Sequence, residues 1–393
     1  MNGPRHRIFI IAGEASGDLH GANLVRELMR VSAEHGRSKD GAAASSLVVQ
    51  GWGGDRMAAE GVQLLKHYRE LAFMGFTQVL LNLRTILRNI RLCKEQIAAF
   101  KPDVLLLIDY PGFNLRIADW AHAQGIRVVY YISPQLWAWK ENRITTVKRA
   151  VDRMLVILPF EQEWYAERGV HVDFVGHPLL DEIANTGAAA TGDEVRAADA
   201  PIALLPGSRE QEITRMLPAM LAAAAHFPGE RFVVAAAPSV PAQLYAELIG
   251  SARVEVVAGR THALLRSAKA AVVTSGTATL ETALFGVPEV VCYSGSAINV
   301  WLARRLVKVK FISLVNLIMD RAVVPELIQH DMNAERIRAE LQRLLHDTAH
   351  RARMVADLQD LRVRLGGPGA SARAARLVWK SLTEPAERPG TGR

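Results

Sequence analysis

Short, uninterrupted apolar runs, each closed by a turn and followed by a helical pattern, recur along this chain and constrain its fold more than any other feature. In the first half they are Arg7–Ala12, Leu47–Gln50, Asp103–Asp109, Ile126–Ser133, Arg153–Leu158 and Val172–Val175. A strand that is apolar at every position, rather than at alternate ones, has both faces covered, as in a parallel sheet sandwiched by helices. The rhythm resumes with Ile202–Leu205, Arg231–Ala237, Arg253–Val257, Ala270–Thr274 and Glu289–Tyr293. The expected fold class is therefore α/β, with two doubly wound, Rossmann-like domains.

The 393 residues suit that number, since a domain takes roughly 100–200 residues. Residues 1–181 form the expected N-terminal domain and 202–345 the C-terminal one. Residues 182–201 between them hold few large apolar groups and no period, so they read as a linker or insertion. Residues 346–393 are expected to be C-terminal helices, broken at Leu365-Gly-Gly-Pro-Gly369, that could pack back on the N-terminal domain and end in a frayed tail.

Half of the residues are apolar and 22% are charged, which excludes a disordered or collagenous chain. Two distant cysteines, Cys93 and Cys292, provide neither a disulfide framework nor a zinc site. The formal charge of +7 favours an anionic partner, whether nucleotide phosphate, nucleic acid or an acidic membrane surface. The apolar run Ile8–Ala12 is too short for a secretion signal, and no run reaches the 18 or so apolar residues of a membrane span; a cytoplasmic location is expected.

Several strand-to-helix turns could carry chemistry. Gly13, Gly17 and Gly21 follow the first strand at a GxxxGxxxG spacing, which is not the dinucleotide fingerprint, and no GxxxxGK[ST] occurs. Glu14, Ser16, Asp18 and His20 in that turn could meet a polar ligand, or could merely cap the following helix. Asp109 ends a hydrophobic strand and Pro111-Gly112 stops it at once, so its carboxylate belongs to the carboxyl edge where ligand crevices form; accepting N–H bonds within the turn is the competing role. Pro206-Gly207-Ser208-Arg209 opens another helix, with Ser208 and Gln211 at capping-box spacing and Arg209 as a fixed cation for a phosphate. Ser275, Gly276 and Thr277 stand at a similar junction, and Glu281 lies too far into its helix to be a cap but suits the hydroxyl pair of a ribose.

Trp137 and Trp139 could be core aromatics or cleft-lining residues. An amphipathic stretch runs from Phe73-Met-Gly-Phe76 to Ile97, with Arg84, Arg88 and Arg91 on one helix face and Phe73, Met74, Leu81 and Leu92 widening its apolar surface. That combination suits either an interfacial helix on an anionic membrane or a helix packed on the sheet with a solvated Arg stripe. Trp301–Lys310 repeats the composition, and neither stretch carries a nucleic-acid motif.

Taken in order, these segments resemble the lipid-A-disaccharide synthases, membrane-associated glycosyltransferases of the GT-B type. The shared stretches are Gly13–Gly21, Met74-Gly-Phe76, Ile108-Asp-Tyr-Pro-Gly-Phe-Asn114, Ser133-Pro-Gln-Leu-Trp-Ala-Trp139, Leu158-Pro-Phe-Glu161, Gly176-His-Pro178, Leu204-Leu-Pro-Gly-Ser-Arg209, Ser275–Glu281 and Trp301–Val307. The resemblance implies two Rossmann-like domains facing a cleft. It implies transfer from UDP-2,3-diacylglucosamine to 2,3-diacylglucosamine 1-phosphate, giving a β-1,6 disaccharide 1-phosphate and UDP. By position it makes Asp109 the general base, Arg209 a pyrophosphate contact, Glu281 a ribose contact and Asn316 a nucleotide-side residue; apart from the resemblance, His20 is a second candidate base or a helix-facing or capping histidine. At Val315 this chain departs from related sequences, which often have Pro before that Asn.

No DxD pair occurs in the chain, so metal independence is expected, with no cofactor, and the absence of a dedicated nucleophile favours inversion. The expected partners are the two diacylglucosamine substrates and an anionic inner-membrane surface, with no nucleic acid. Rival readings are an epimerase-like GT-B enzyme acting on UDP-sugars and a non-catalytic UDP-sugar sensor or membrane scaffold.

Overall fold

A computed structural model describes residues 5–36, 46–71, 83–185, 197, 199–295 and 310–384. The chain divides into two compact units, one comprising residues up to Pro178 together with Pro368 onward, the other Leu179–Gly367.

The first unit is built on a parallel sheet of β1 (Arg5–Ala12), β2 (Ser46–Gly53), β3 (Gln63–His67), β4 (Val104–Ile108), β5 (Arg127–Tyr131), β6 (Arg153–Val156) and β7 (Asp173–Phe174), in the order β3-β2-β1-β4-β5-β6-β7. Every residue of β4 is buried, as its unbroken Val-Leu-Leu-Leu-Ile run requires. Helices cover both faces. On one, the Ala15–Gly36 helix packs Leu24, Val25 and Leu28 against Ile8, Ile10 and Leu106; on the other, Cys93 and Ile97 of the Leu83–Phe100 helix meet Phe9, Leu105 and Leu107. The last helix, Ala370–Thr383, belongs to this unit and lays Ala374, Ala375, Val378 and Trp379 into the first of those clusters.

The second unit carries β8 (Ile202–Leu205), β9 (Phe232–Ala236), β10 (Glu255–Ala258), β11 (Ala270–Thr274), β12 (Glu289–Tyr293) and β13 (Glu326–Ile328), all parallel, in the order β10-β9-β8-β11-β12-β13. This unit begins at Leu179 and keeps the Thr348–Arg364 helix, whereas the sequence pattern places the start at 202 and the end at 345. Residues 182–185 finish the helix Leu179–Asn185, whose Leu179, Leu180 and Ile183 are buried; most of the expected linker lies outside the described residues.

Candidate active site

Each sheet reverses its direction of strand addition once, between β1 and β4 in the first unit and between β8 and β11 in the second. Connections leave those neighbouring strands in opposite directions, so a crevice opens at their carboxyl ends, where ligands of doubly wound folds bind.

In the first unit that crevice lies between the Gly13-Glu14 turn and the Asp109-Tyr110 turn. Ala12 pairs in register with Ile108, so the two turns start side by side. Gly13 is required by contact: a Cβ there would lie 2.3 Å from Cδ1 of Tyr110. Asp109 and Tyr110 both adopt left-handed backbone, at φ 44° and 49°, a conformation that costs non-glycine residues on the order of 1–3 kcal/mol each unless their surroundings hold it. Here they do. The Asp109 N–H donates to the Tyr131 carbonyl (3.0 Å), and its own carbonyl accepts from Tyr130 Oη (2.6 Å) and Asn114 Nδ2 (2.7 Å). Asn114 Nδ2 also donates to the Ile108 carbonyl at 3.1 Å, fixing both sides of the bend.

Burial, reinforced by the negative charge of Glu14 and opposed by the Tyr110 N–H, pushes the Asp109 carboxyl up to about 6. A carboxylate so placed is still ionised near neutrality and is a stronger base than a solvated one.

The other turn residues separate into two groups. Glu14 is half-buried and Ser16 is exposed at the start of the Ala15–Gly36 helix. Asp18 is instead structural, a correction to its reading as a ligand contact: its Oδ1 accepts from the N–H groups of Gly54 (2.7 Å) and Met57 (3.1 Å), and its Oδ2 from Arg56 (3.2 Å). A buried carboxylate bound this way caps the Asp55–Ala59 helix and has little capacity left for a substrate. His20 is buried near His177, whose imidazole is pushed down to about 3, chiefly by burial and further by His20, and is therefore neutral at pH 7.

The loop after β5 is fixed by Glu161. Its Oε1 accepts from Ser133 Oγ (2.5 Å) and Trp137 Nε1 (3.2 Å), its Oε2 from the N–H groups of Ile157 and Leu158. Burial pushes this carboxyl up to about 7 against the pull of those four donors. Trp137 packs edge-on against Phe160, whereas Trp139 is 42% exposed with Lys140 Nζ 4.3 Å from its ring centroid.

In the second unit Gly207, Ser208 and Arg209 follow β8. The capping box expected from Ser208 and Gln211 does not form: the helix starts at Glu210 with Arg209 at its N-cap, and Glu212 folds back onto the Ser208 N–H (3.0 Å) and Arg209 Nη1 (2.9 Å). Gly207 permits this through φ 123°, and a Cβ there would lie 2.7 Å from Glu212 Cβ. After β11, Gly276 caps the Thr277–Leu284 helix, and among the described residues nothing lies within 4 Å of where its Cβ would be, so they leave the backbone open to a ligand. Gly276 and Thr277 are exposed, while Ser275 Oγ donates to the Ile312 carbonyl at 3.2 Å.

Glu281 is hydrogen-bonded to His262 Nε2, and that bond, ahead of an opposing burial effect, raises the imidazole. His262 follows β10 and has no motif around it, so the sequence pattern misses it. Asn316 requires a correction. Its Oδ1 accepts from the N–H groups of Val323 (2.7 Å) and Val324 (2.9 Å), and its Nδ2 donates to the Val324 carbonyl and Glu326 Oε1, both at 2.9 Å. Buried with its hydrogen-bonding capacity consumed, it shapes the loop rather than reaching a nucleotide.

Phe73, Met74, Phe76 and Leu81 lie outside the described residues, as does most of Trp301–Lys310. Arg84, Arg88 and Arg91 are exposed on the Leu83–Phe100 helix, and Arg91 Nε pairs with Glu95 at 2.9 Å. Among the described residues no helix is long and apolar enough to cross a membrane, and no group of three or more His, Cys, Asp or Glu is placed to hold a metal ion.

Two doubly wound units, each with polar turns at its switch point, define a protein of the GT-B fold class. Solved structures share that fold: the calicheamicin glycosyltransferase CalG4 (TM-score 0.60, 19% identity, 98% of this chain and 100% of that one) and the Neisseria meningitidis UDP-GlcNAc 2-epimerase bound to UDP-GlcNAc (0.60, 11%, 96% and 100%). The chain belongs to the lipid-A-disaccharide synthetase family, whose model matches residues 8–378. It is 43% identical over 385 residues to the lipid-A-disaccharide synthase of Myxococcus xanthus, covering 96% of this chain and 97% of that protein. With the Syntrophus aciditrophicus enzyme the identity is 42% over 381 residues, covering 94% and 96%. Membership makes it a glycosyltransferase of lipid A disaccharide synthesis, using a UDP-sugar donor and a glycolipid acceptor.

Proposed function

We propose that the enzyme transfers a 2,3-diacylglucosaminyl group from UDP to the 6-hydroxyl of 2,3-diacylglucosamine 1-phosphate, with inversion and without a metal ion. The observation that carries this reading is Asp109: a carboxylate at the first unit's switch point, held in left-handed backbone by Tyr130, Asn114 and Tyr131, and raised to about 6. The acceptor oxygen attacks the donor's anomeric carbon as its proton passes to Asp109, and the carbon–oxygen bond to UDP breaks with its electron pair leaving on the phosphate. A positioned base contributes about 10²–10⁴-fold to such a step.

The negative charge that gathers on UDP is assigned to Arg209 and to the N-termini of the Glu210–Ala224 and Thr277–Leu284 helices. Glu281, oriented by His262, takes the ribose hydroxyls. Residues 73–92 are assigned to acyl chains and the anionic inner-membrane surface. The deciding experiment is incubation of the purified protein with both substrates in EDTA, with mass spectrometry for the disaccharide 1-phosphate and UDP. Absence of the disaccharide would remove the reading, and loss of turnover in EDTA would remove metal independence.

A further inference from the structure

Glu161 uses its two carboxylate oxygens for different tasks. Oε2 accepts from the N–H groups of Ile157 and Leu158, which satisfies the turn ahead of the Phe160–Ala166 helix. Oε1 reaches Ser133 Oγ and Trp137 Nε1, 28 and 24 residues away in sequence, on the loop that leaves β5. The turn alone would need only one oxygen. Glu161 is fully buried, and burying a charge is costly enough that apolar side chains could join two loops with less penalty. What the carboxylate adds is a fixed direction for each donor.

That direction matters at Ile132, the residue before Ser133. Ile132 is β-branched and holds φ 64°, a left-handed conformation that persists only where the surroundings enforce it. The peptide unit joining Tyr131 to Ile132 also holds the turn of the proposed base: its carbonyl accepts from the Asp109 N–H and its N–H donates to the Leu155 carbonyl, both at 3.0 Å. The bond from Ser133 Oγ to Glu161, at 2.5 Å, fixes the chain on the far side of the strained residue. Tyr130, whose hydroxyl donates to the Asp109 carbonyl, precedes that peptide on the same strand.

We infer that Glu161 is a positioning residue for the proposed base: through Ser133 it holds the strained end of β5, so that Tyr130 and Tyr131 keep Asp109 in its left-handed turn. This role rests on the proposed reaction, in which Asp109 takes the acceptor proton. Glu161 touches no reacting atom in this scheme and acts only through the strand end.

The test is a double-mutant cycle between this network and Asp109. Ser133→Ala and Glu161→Gln should each lower kcat about tenfold, with both substrate KM values within about twofold of wild type. Ser133→Cys, which keeps the shape but offers a weaker donor, should fall between wild type and Ser133→Ala. In an Asp109→Asn background the same substitutions should have no further effect on the residual rate, because the placement of a base ceases to matter once the base is gone. Trp137→Phe takes a donor from the same oxygen without releasing β5, and should lower kcat no more than about twofold. Melting temperatures check that the variants are folded. Wild-type kcat in Ser133→Ala overturns the role, as does the same fractional loss with and without Asp109, which marks general destabilisation. A loss in Trp137→Phe as large as that in Ser133→Ala ties turnover to the loop rather than to the strand end and also overturns it. If the wild-type protein makes no disaccharide, the reaction itself fails and the positioning role with it.

Discussion

The Tyr130 hydroxyl donates a 2.6 Å hydrogen bond to the main-chain carbonyl of Asp109, tying β5 to the turn that presents the proposed base. Asn114 Nδ2 reaches the same carbonyl, so the turn has two clamps. Removing one by Tyr130→Phe should lower kcat about fivefold with little change in KM, as expected for a neutral hydrogen bond of about 1 kcal/mol that positions rather than binds. With Asn114→Ala added, the loss should exceed the product of the single effects, because each clamp is the other's reserve; steady-state kinetics of the double-mutant cycle measure it.

Asp109 acts as a base only when ionised. With its carboxyl at about 6, kcat/KM should rise with pH through that value and level off above it. Because Glu14 contributes to the elevation, Glu14→Gln should move the rising limb to lower pH. Asp109→Asn should cut kcat by about 10²–10⁴ above pH 6, with the gap narrowing at lower pH as the wild-type carboxylate is protonated, while UDP affinity is retained. A pH-rate profile with no inflection near 6 would count against the assignment.

Much of this was legible in the chain because burial on both faces leaves a run such as Val104–Ile108 no polar positions. The strands that the pattern misses are the edges: Gln63–His67, with mixed exposure, and the short Glu326–Ile328, which an edge position frees from being continuously apolar. Asp109 and the Gly207–Arg209 turn were visible because each ends a strand abruptly. Asp18, Asn316 and His262 show the limit: sequence identifies a polar group near an edge but not its partner. Asp18 and Asn316 are consumed by backbone groups 36–39 and 7–8 residues away, and His262 gains its meaning from Glu281, 19 residues on.

Gly13 lies beneath the Tyr110 ring, with no room for a methyl group. Gly13→Ala should therefore displace Tyr110, and Asp109 with it, because the neighbour is a ring anchored by Phe113 rather than the end of a flexible chain. A cost of about 1–3 kcal/mol is typical of overpacking. The melting temperature should fall and kcat should drop together, whereas Gly112→Ala, where none of the described residues lies within 4 Å, should spare both.

His262 and Glu281 form a pair whose bond favours the charged imidazole. Glu281→Gln should remove that support, so the His262 titration followed by NMR should shift to lower pH, and the donor KM should rise about tenfold if the carboxylate meets a ribose hydroxyl. His262→Gln should raise the donor KM less, since it removes the group that orients the carboxylate and leaves the carboxylate itself. Equal donor KM values for wild type and Glu281→Gln would separate the pair from nucleotide binding.

Glu289 opens β12 fully buried, and among the described residues neither carboxyl oxygen has a hydrogen-bond partner. Burial alone raises its titration well above the ordinary glutamate value, so the folded protein holds a proton there that the unfolded chain releases. The folded state binds more protons than the unfolded one above the ordinary value, and stability from this site must fall as pH rises. Its contribution is complete below about 4.3, the unperturbed glutamate value, and is lost progressively toward alkaline pH. Glu289→Gln keeps the shape of the protonated acid but cannot ionise, so its melting temperature should be nearest the wild-type value below about pH 4 and exceed it increasingly toward pH 8. Equal melting temperatures at both values would mean that Glu289 is ionised in the folded protein and has found a partner for its charge.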